Sequence, residues 1–187
     1  MVQAPQKTIT LEEFLNLPET KPASEYIDGQ IIQKPMPKGE HSTLQRDLTN
    51  AIDGVVKLQK VARAFPELRC SFGGRAIVPD IAVFTYDRIP RKENGGVANA
   101  FNAAPDWTIE ILSPDQRQTK VTNNILHCLD HGCQMGWLVD PDEQSVIGYP
   151  FNQRSQIFNQ FEQVLPVPEF AKDFRLTVGE LFGWLLE

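Results

Sequence analysis

Val78-Pro79-Asp80-Ile81-Ala82-Val83 sets an acid inside an apolar run, directly behind a proline. A lone carboxylate among such neighbours is costly to bury unless its charge is compensated. In strand alternation Asp80 shares a face with Val78 and Ala82, while Ile81 and Val83 share the other. Working outward, Trp107-Thr108-Ile109-Glu110-Ile111-Leu112 repeats the pattern, with Glu110 beside Thr108 and Leu112 on one face. On neighbouring strands the two acids would meet across the sheet and repel, and a divalent cation relieves that repulsion. Mg²⁺ (or Mn²⁺) suits such a site, because one or two carboxylates plus water and phosphate oxygens complete its octahedron. The alternative is two strand-end acids engaged in ordinary salt bridges or caps.

The remaining pattern supplies the frame. Thr10, Glu13 and Pro18 bracket a short helix with a capping-box signature. Residues 25–32 read as a hairpin around Asp28-Gly29. Leu44, Leu48, Ile52, Val55 and Val56 recur at helical spacing and predict a helix over 39–60. Strands are expected over 62–71, 76–84 and 106–112. The stretch 87–105, rich in Gly and Asn, reads as a long exposed loop. Val121, Ile125, Leu126 and Leu129 predict a second core helix over 118–131, ended by Gly132. A hairpin over 135–140 and 145–149, a short strand near 155–158 and a helix over 177–186 close the chain. The expected fold class is α/β (α+β): one domain over 1–187, a mixed central sheet flanked by helices, with 1–8 a flexible tail.

The 187 residues suffice for one sizeable core and would divide thinly into two. There is no apolar run of about 18 residues, so no membrane span is expected. The first residues lack the apolar block of a secretory signal, so the expected compartment is the cytoplasm. Cys70, Cys128 and Cys133 are an odd count and read as reduced thiols. A formal net charge of −6 argues against a protein that coats nucleic acid by charge alone. It leaves room for basic groups gathered in one groove around an acidic site.

Three features together, the Pro79-Asp80 step, the later strand glutamate Glu110 and a polar helix start after it, resemble the core of PD-(D/E)xK nucleases. More narrowly, the chain resembles the Uma-type putative restriction endonuclease family. The likeness rests on Leu11-Glu12-Glu13-Phe14-Leu15, Glu25-Tyr26-Ile27-Asp28-Gly29-Gln30-Ile31, Val78 to Val83, Ile109-Glu110-Ile111-Leu112-Ser113-Pro114 and Gly136-Trp137-Leu138-Val139-Asp140-Pro141. The resemblance implies a restriction-endonuclease-like fold and metal-dependent hydrolysis of DNA phosphodiesters. Asp80 and Glu110 carry over as metal ligands. Glu25 carries over as a further ligand or orienting group, or else simply pairs with a basic side chain beside the hairpin.

One departure bears on turnover. The superfamily pattern has a lysine two residues after the second acid, where this chain has Leu112. The resemblance implies that forms of this kind take a lysine from the following helix, and Lys120 is the only lysine there. Family members carry theirs about one turn later, at a point that here reads Asn123-Asn124. Lys120 is therefore either the catalytic lysine or a solvated helix residue. His41 and, one turn on, Gln45 are candidates for facing the substrate; a plain helix-start histidine is the competing reading. Arg75 and Arg69, and Arg88, Arg91 and Lys92 in the long loop, are candidates for phosphate contact or are solvated bases. His127, Cys128, His131 and Cys133 invite a zinc reading. Cys128, beside the core position Leu129, reads better as an apolar filler. Trp107, Trp137 and Trp184 read as core anchors.

Two functions follow. The first is a Mg²⁺-dependent endonuclease acting on DNA, with a homodimer expected because two antiparallel strands suit two-fold symmetry. The second is a nuclease-fold protein, weak or inactive in catalysis, that binds nucleic acid or a protein partner. The retained Asp80 and Glu110 favour the first; the absent Glu-x-Lys lysine favours the second.

Overall fold

The computed structural model describes residues 9–114 and 116–187. The tail expected over 1–8 lies outside the described residues. Helix α1 (Leu11–Leu15) begins at Thr10, whose side chain and that of Glu13 cap each other's backbone N–H groups. Strands β1 (Ser24–Ile27) and β2 (Gln30–Gln33) follow. Asp28 and Gly29 join them with φ of 51° and 83°, the two positive values that a tight hairpin turn of this length demands. This turn fixes the register, pairing Glu25 with Ile32 and Ser24 with Gln33.

Helix α2 (Gly39–Val56) buries Leu44, Leu48, Ile52 and Val56 completely. Strands β3 (Ala62–Pro66), β4 (Cys70–Phe72), β5 (Arg75–Ile77), β6 (Ile81–Thr85) and β7 (Trp107–Ile111) come next. Helix α3 (Gln118–Asp130), strands β8 (Met135–Asp140), β9 (Ser145–Pro150) and β10 (Gln156–Phe158), and helix α4 (Val178–Gly183) complete the order.

The single mixed sheet expected from the sequence resolves into two among the described residues. A six-stranded sheet runs β10-β9-β8-β7-β6-β3, and a four-stranded one runs β2-β1-β5-β4. The one strand anticipated over 76–84 is two short strands in different sheets. Pro79 is the physical reason. It has no N–H to give a ladder and holds its own φ, so residues 78–80 become the crossing between sheets. Asp80 therefore stands one residue before β6, not inside it.

On the large sheet, Ile81, Val83, Ile109, Ile111, Trp137 and Val139 join α2 and α4 in the main core. Trp107 and Trp137 pack edge to face at 4.8 Å within it. The alternate residues face the other way, where Leu138 meets Val121 and Ile125 of α3. Glu110 pairs in register with Leu138 and so lies on this α3 side. The segment 87–105 is a loop exposed over 91–96, as expected, but it is pinned near both ends. Ile89, Phe101 and Ala104 are buried, and Phe101 packs against Phe65 and Phe84. Among the described residues no helix is long and apolar enough to cross a membrane.

Two glycines separate packing from conformational entropy. A Cβ on Gly136, in the strand under α3, would stand 2.3 Å from Ile125 Cγ2. Gly136→Ala is expected to cost about 1–3 kcal/mol through overpacking. A Cβ on Gly54, exposed within α2, meets nothing within 4 Å. Gly54→Ala is expected to add roughly 0.5–1 kcal/mol. Urea unfolding of both variants measures the two opposite signs.

Candidate active site

The antiparallel ladder of β6 on β7 pairs Ile81 with Ile109 and Ala82 with Thr108. Continuing that register by one step sets Asp80 opposite Glu110. Both are nearly inaccessible, at 2% and 3% exposure. The contact that joins them was not anticipated. Lys34, which follows β2 on the small sheet, extends its ammonium over the end of the large one. Lys34 Nζ donates to Asp80 Oδ1 at 2.7 Å, to Val78 O at 2.7 Å and to Glu110 Oε2 at 3.4 Å. These three partners use all three protons of an ammonium. The two carboxylate oxygens can be no farther apart than those two Lys34 distances laid end to end.

Asp80 is held from every side. Its Oδ2 accepts from the Ile111 backbone N–H at 2.7 Å and lies 3.1 Å from His41 Nε2. Its carbonyl oxygen accepts from Gln45 Nε2 at 2.9 Å and from the Glu67 N–H at 3.1 Å. His41 and Gln45 share one face of α2, as their spacing implied, and both reach Asp80 directly. Glu110 has fewer partners, and its buried Oε1 has no hydrogen bond. Glu25, 5% exposed, accepts from the Val78 N–H at 2.8 Å and from Asn124 Nδ2 at 3.2 and 3.4 Å.

Burial and charge pull these groups in different directions. Burial alone would raise Asp80, but Lys34 and His41 hold it below the usual carboxylate range. Burial pushes Glu110 well above its ordinary value despite the pull of Lys34, and neighbouring Asp80 adds to the rise. Burial also raises Glu25, against Lys34 and its hydrogen bonds. For Lys34 burial acts downward, and the carboxylates of Asp80, Glu110 and Glu25 more than reverse it. Lys34 therefore stays charged at neutral pH.

The site opens into a cleft of about 400 Å³ between the β1–β2 hairpin and α3. Glu25, Lys34 and Glu110 line it, and Asp80 touches it only through Lys34. Arg75 lines it too, with its guanidinium bonded to Asp28 at 3.0 and 3.1 Å. Lys120, exposed in the first turn of α3, lines the same cleft. The ammonium that touches both acids belongs to Lys34 instead. A signal for Lys34 was present in the sequence. The two-residue Asp28-Gly29 turn puts Glu25 and Ile32 in register, so Lys34, two residues beyond Ile32, shares Glu25's face.

The donors suit a hard cation. All are carboxylate oxygens, and Glu110 Oε1 is an acceptor without a donor. Among the described residues no group of three or more His, Cys, Asp or Glu could hold an ion by itself. Water and substrate oxygens would have to complete the shell. The zinc candidates do not form such a group. His127 stacks on Phe72 at 4.8 Å, and Cys128 and Cys133 are packed with Ile77. Burial pushes the Cys70 and Cys133 thiols up to about 12, which removes them as nucleophiles at neutral pH.

Known proteins similar to this chain bear on its family and its fold. The family model Uma2, described as putative restriction endonuclease, matches residues 11–179. A crystal structure from Anabaena variabilis, described as a putative nuclease belonging to DUF820, is 62% identical. The match covers 95% of this chain and 99% of that one, with a TM-score of 0.93. No curated protein matches the chain.

The charge balance can be measured without substrate. Lys34→Met strips the ammonium from two buried acids and is expected to cost about 3 kcal/mol near pH 8. Without the pull of Lys34, folded Glu110 is driven higher still and keeps its proton to a higher pH than in the wild type, while the unfolded chain loses it near the ordinary value of 4.5. The folded state then binds more protons, so stability falls as pH rises. Urea midpoints should show a smaller loss near pH 5.5 than near pH 8; an equal loss at both would separate Lys34 from Glu110.

Proposed function

The chain belongs to the Uma2 family of putative restriction endonucleases, and on that footing we propose that it is a metal-dependent endonuclease hydrolysing DNA phosphodiester bonds, the whole chain acting as one catalytic unit. The observation that carries this reading is the Lys34 ammonium between Asp80 and Glu110. It supplies the positive charge that the position of Leu112 lacks, and it weighs against an inactive binding module.

Asp80 and Glu110 would hold one Mg²⁺ or Mn²⁺, Glu110 through the Oε1 that has no donor. Such an ion neutralises charge on a phosphoryl oxygen and lowers the pKa of a bound water. The chain's own groups divide the rest. His41, Gln45 and the Ile111 N–H fix Asp80 in place before substrate arrives. Lys34, charged at neutral pH and bonded to Val78, Asp80 and Glu110, keeps the two acids together and lends positive charge to the site as negative charge grows on the phosphoryl oxygens. Glu25, on the cleft wall and raised by burial, takes the proton of the attacking water. Asn124 orients that carboxylate. Water adds to phosphorus, the bond to one ester oxygen breaks, and that oxygen leaves with a proton from solvent.

Cleavage of supercoiled plasmid and of circular single-stranded DNA, with Mg²⁺ or Mn²⁺, tests the reading. Asp80→Ala, Glu110→Ala and Lys34→Met should each lower the rate by about 100-fold or more. Glu25→Gln should lower it by roughly 100-fold or more through loss of the proton acceptor. Lys120→Ala should lose less than Lys34→Met. Equal cleavage by wild type and Asp80→Ala would sink the assignment.

A further inference from the structure

The depth of the acids limits what can reach them. Asp80 and Glu110 are 2% and 3% exposed, and the way in is the cleft between the hairpin and α3. Its volume of about 400 Å³ lies within the range of small-molecule pockets, roughly 300–1,000 Å³. That is room for about one nucleotide with its phosphate. A duplex keeps each phosphate on a stiff, stacked rod, and bending such a rod sharply costs on the order of 1–6 kcal/mol. An unpaired nucleotide needs no such bending and enters freely.

The walls match that occupant. Ile27, Ile32, Pro35 and Val121 offer apolar surface to a base face. Gln33, Gln116 and Asn123 offer amides to its edges. Asn124 Oδ1, buried and without a hydrogen bond, is an acceptor in the same wall. The charge is sparse. Arg117 and Lys120 are exposed, whereas Arg75 is engaged by Asp28 and Lys34 by the acids. Two or three phosphates can be met here, too few for a duplex footprint on a chain of net charge −6.

We infer that this site takes an unpaired DNA strand, threaded one nucleotide at a time past Lys34 and Glu110, in preference to an intact duplex. The inference rests on the nuclease reading for its chemistry but not for its geometry. One protomer then suffices, and the two-fold symmetry expected of a duplex cutter is not required.

Binding in EDTA separates the two ideas. Fluorescence anisotropy of the wild-type chain compares a labelled single strand of about 12 nucleotides with a blunt duplex of the same sequence. The single strand should bind at least about 10-fold tighter, with a slope of log K on log salt near −2, as two or three released counterions give. Lys120→Glu should weaken it by roughly 10-fold and flatten the slope by about 1–2. Equal or tighter duplex binding overturns the inference, as does a slope of about −5 or steeper, or binding to neither form. Cleavage is then scored separately with Mn²⁺. Faster cutting of duplex than of single strand sinks the strand preference and leaves the nuclease intact. Single-strand binding with no cutting of any DNA does the reverse.

Discussion

Three buried carboxylates converge on one ammonium. Glu25, Asp80 and Glu110 all feel Lys34, and Lys34 touches two of them directly. An unpaired buried charge costs several kcal/mol, so this arrangement persists only because every donor is placed. With Glu110 and Glu25 ionised the site would carry a surplus of negative charge, which would suit a bound cation. It also sets the division of protonation, with Asp80 held ionised while Glu110 and Glu25 are driven upward. Two acids of like chemistry are thus made unlike by their surroundings, which is the usual route to distinct roles in one site.

Much of this was legible in the residues. The capping box at Thr10, the Asp28-Gly29 turn and the helical spacing of Leu44, Leu48 and Ile52 are local signals, and local physics decides them. Asp80 and Glu110 stood out because acids in apolar strands need a reason. What the sequence concealed was which sheet each strand joins. Short strands such as Cys70–Phe72 and Arg75–Ile77 carry too little pattern to assign. The consequence was the single strand expected over 76–84, where Pro79 in fact hands the chain from one sheet to the other.

Lys34 was hidden for a related reason. Its neighbours Gln33 and Pro35 suggest a strand end in solvent, and its partners lie 46 and 76 residues away. Only the hairpin register pointed to it, by placing it on Glu25's face. His41 and Gln45 were found as a pair, yet their observed partner is Asp80 itself. They brace the acid from the far side of the sheet.

The Lys34 contacts also govern when the site comes into being. Each acid sits at the end of a different segment, and the ammonium arrives from a separate sheet. Contacts of such long sequence separation form late, after shorter loops have closed. A nascent or partly melted chain therefore holds scattered carboxylates with no counter-charge and no cleft. The proposed hydrolytic centre is thus a product of complete folding, and an incompletely folded copy would hold no assembled site at which DNA could be cut.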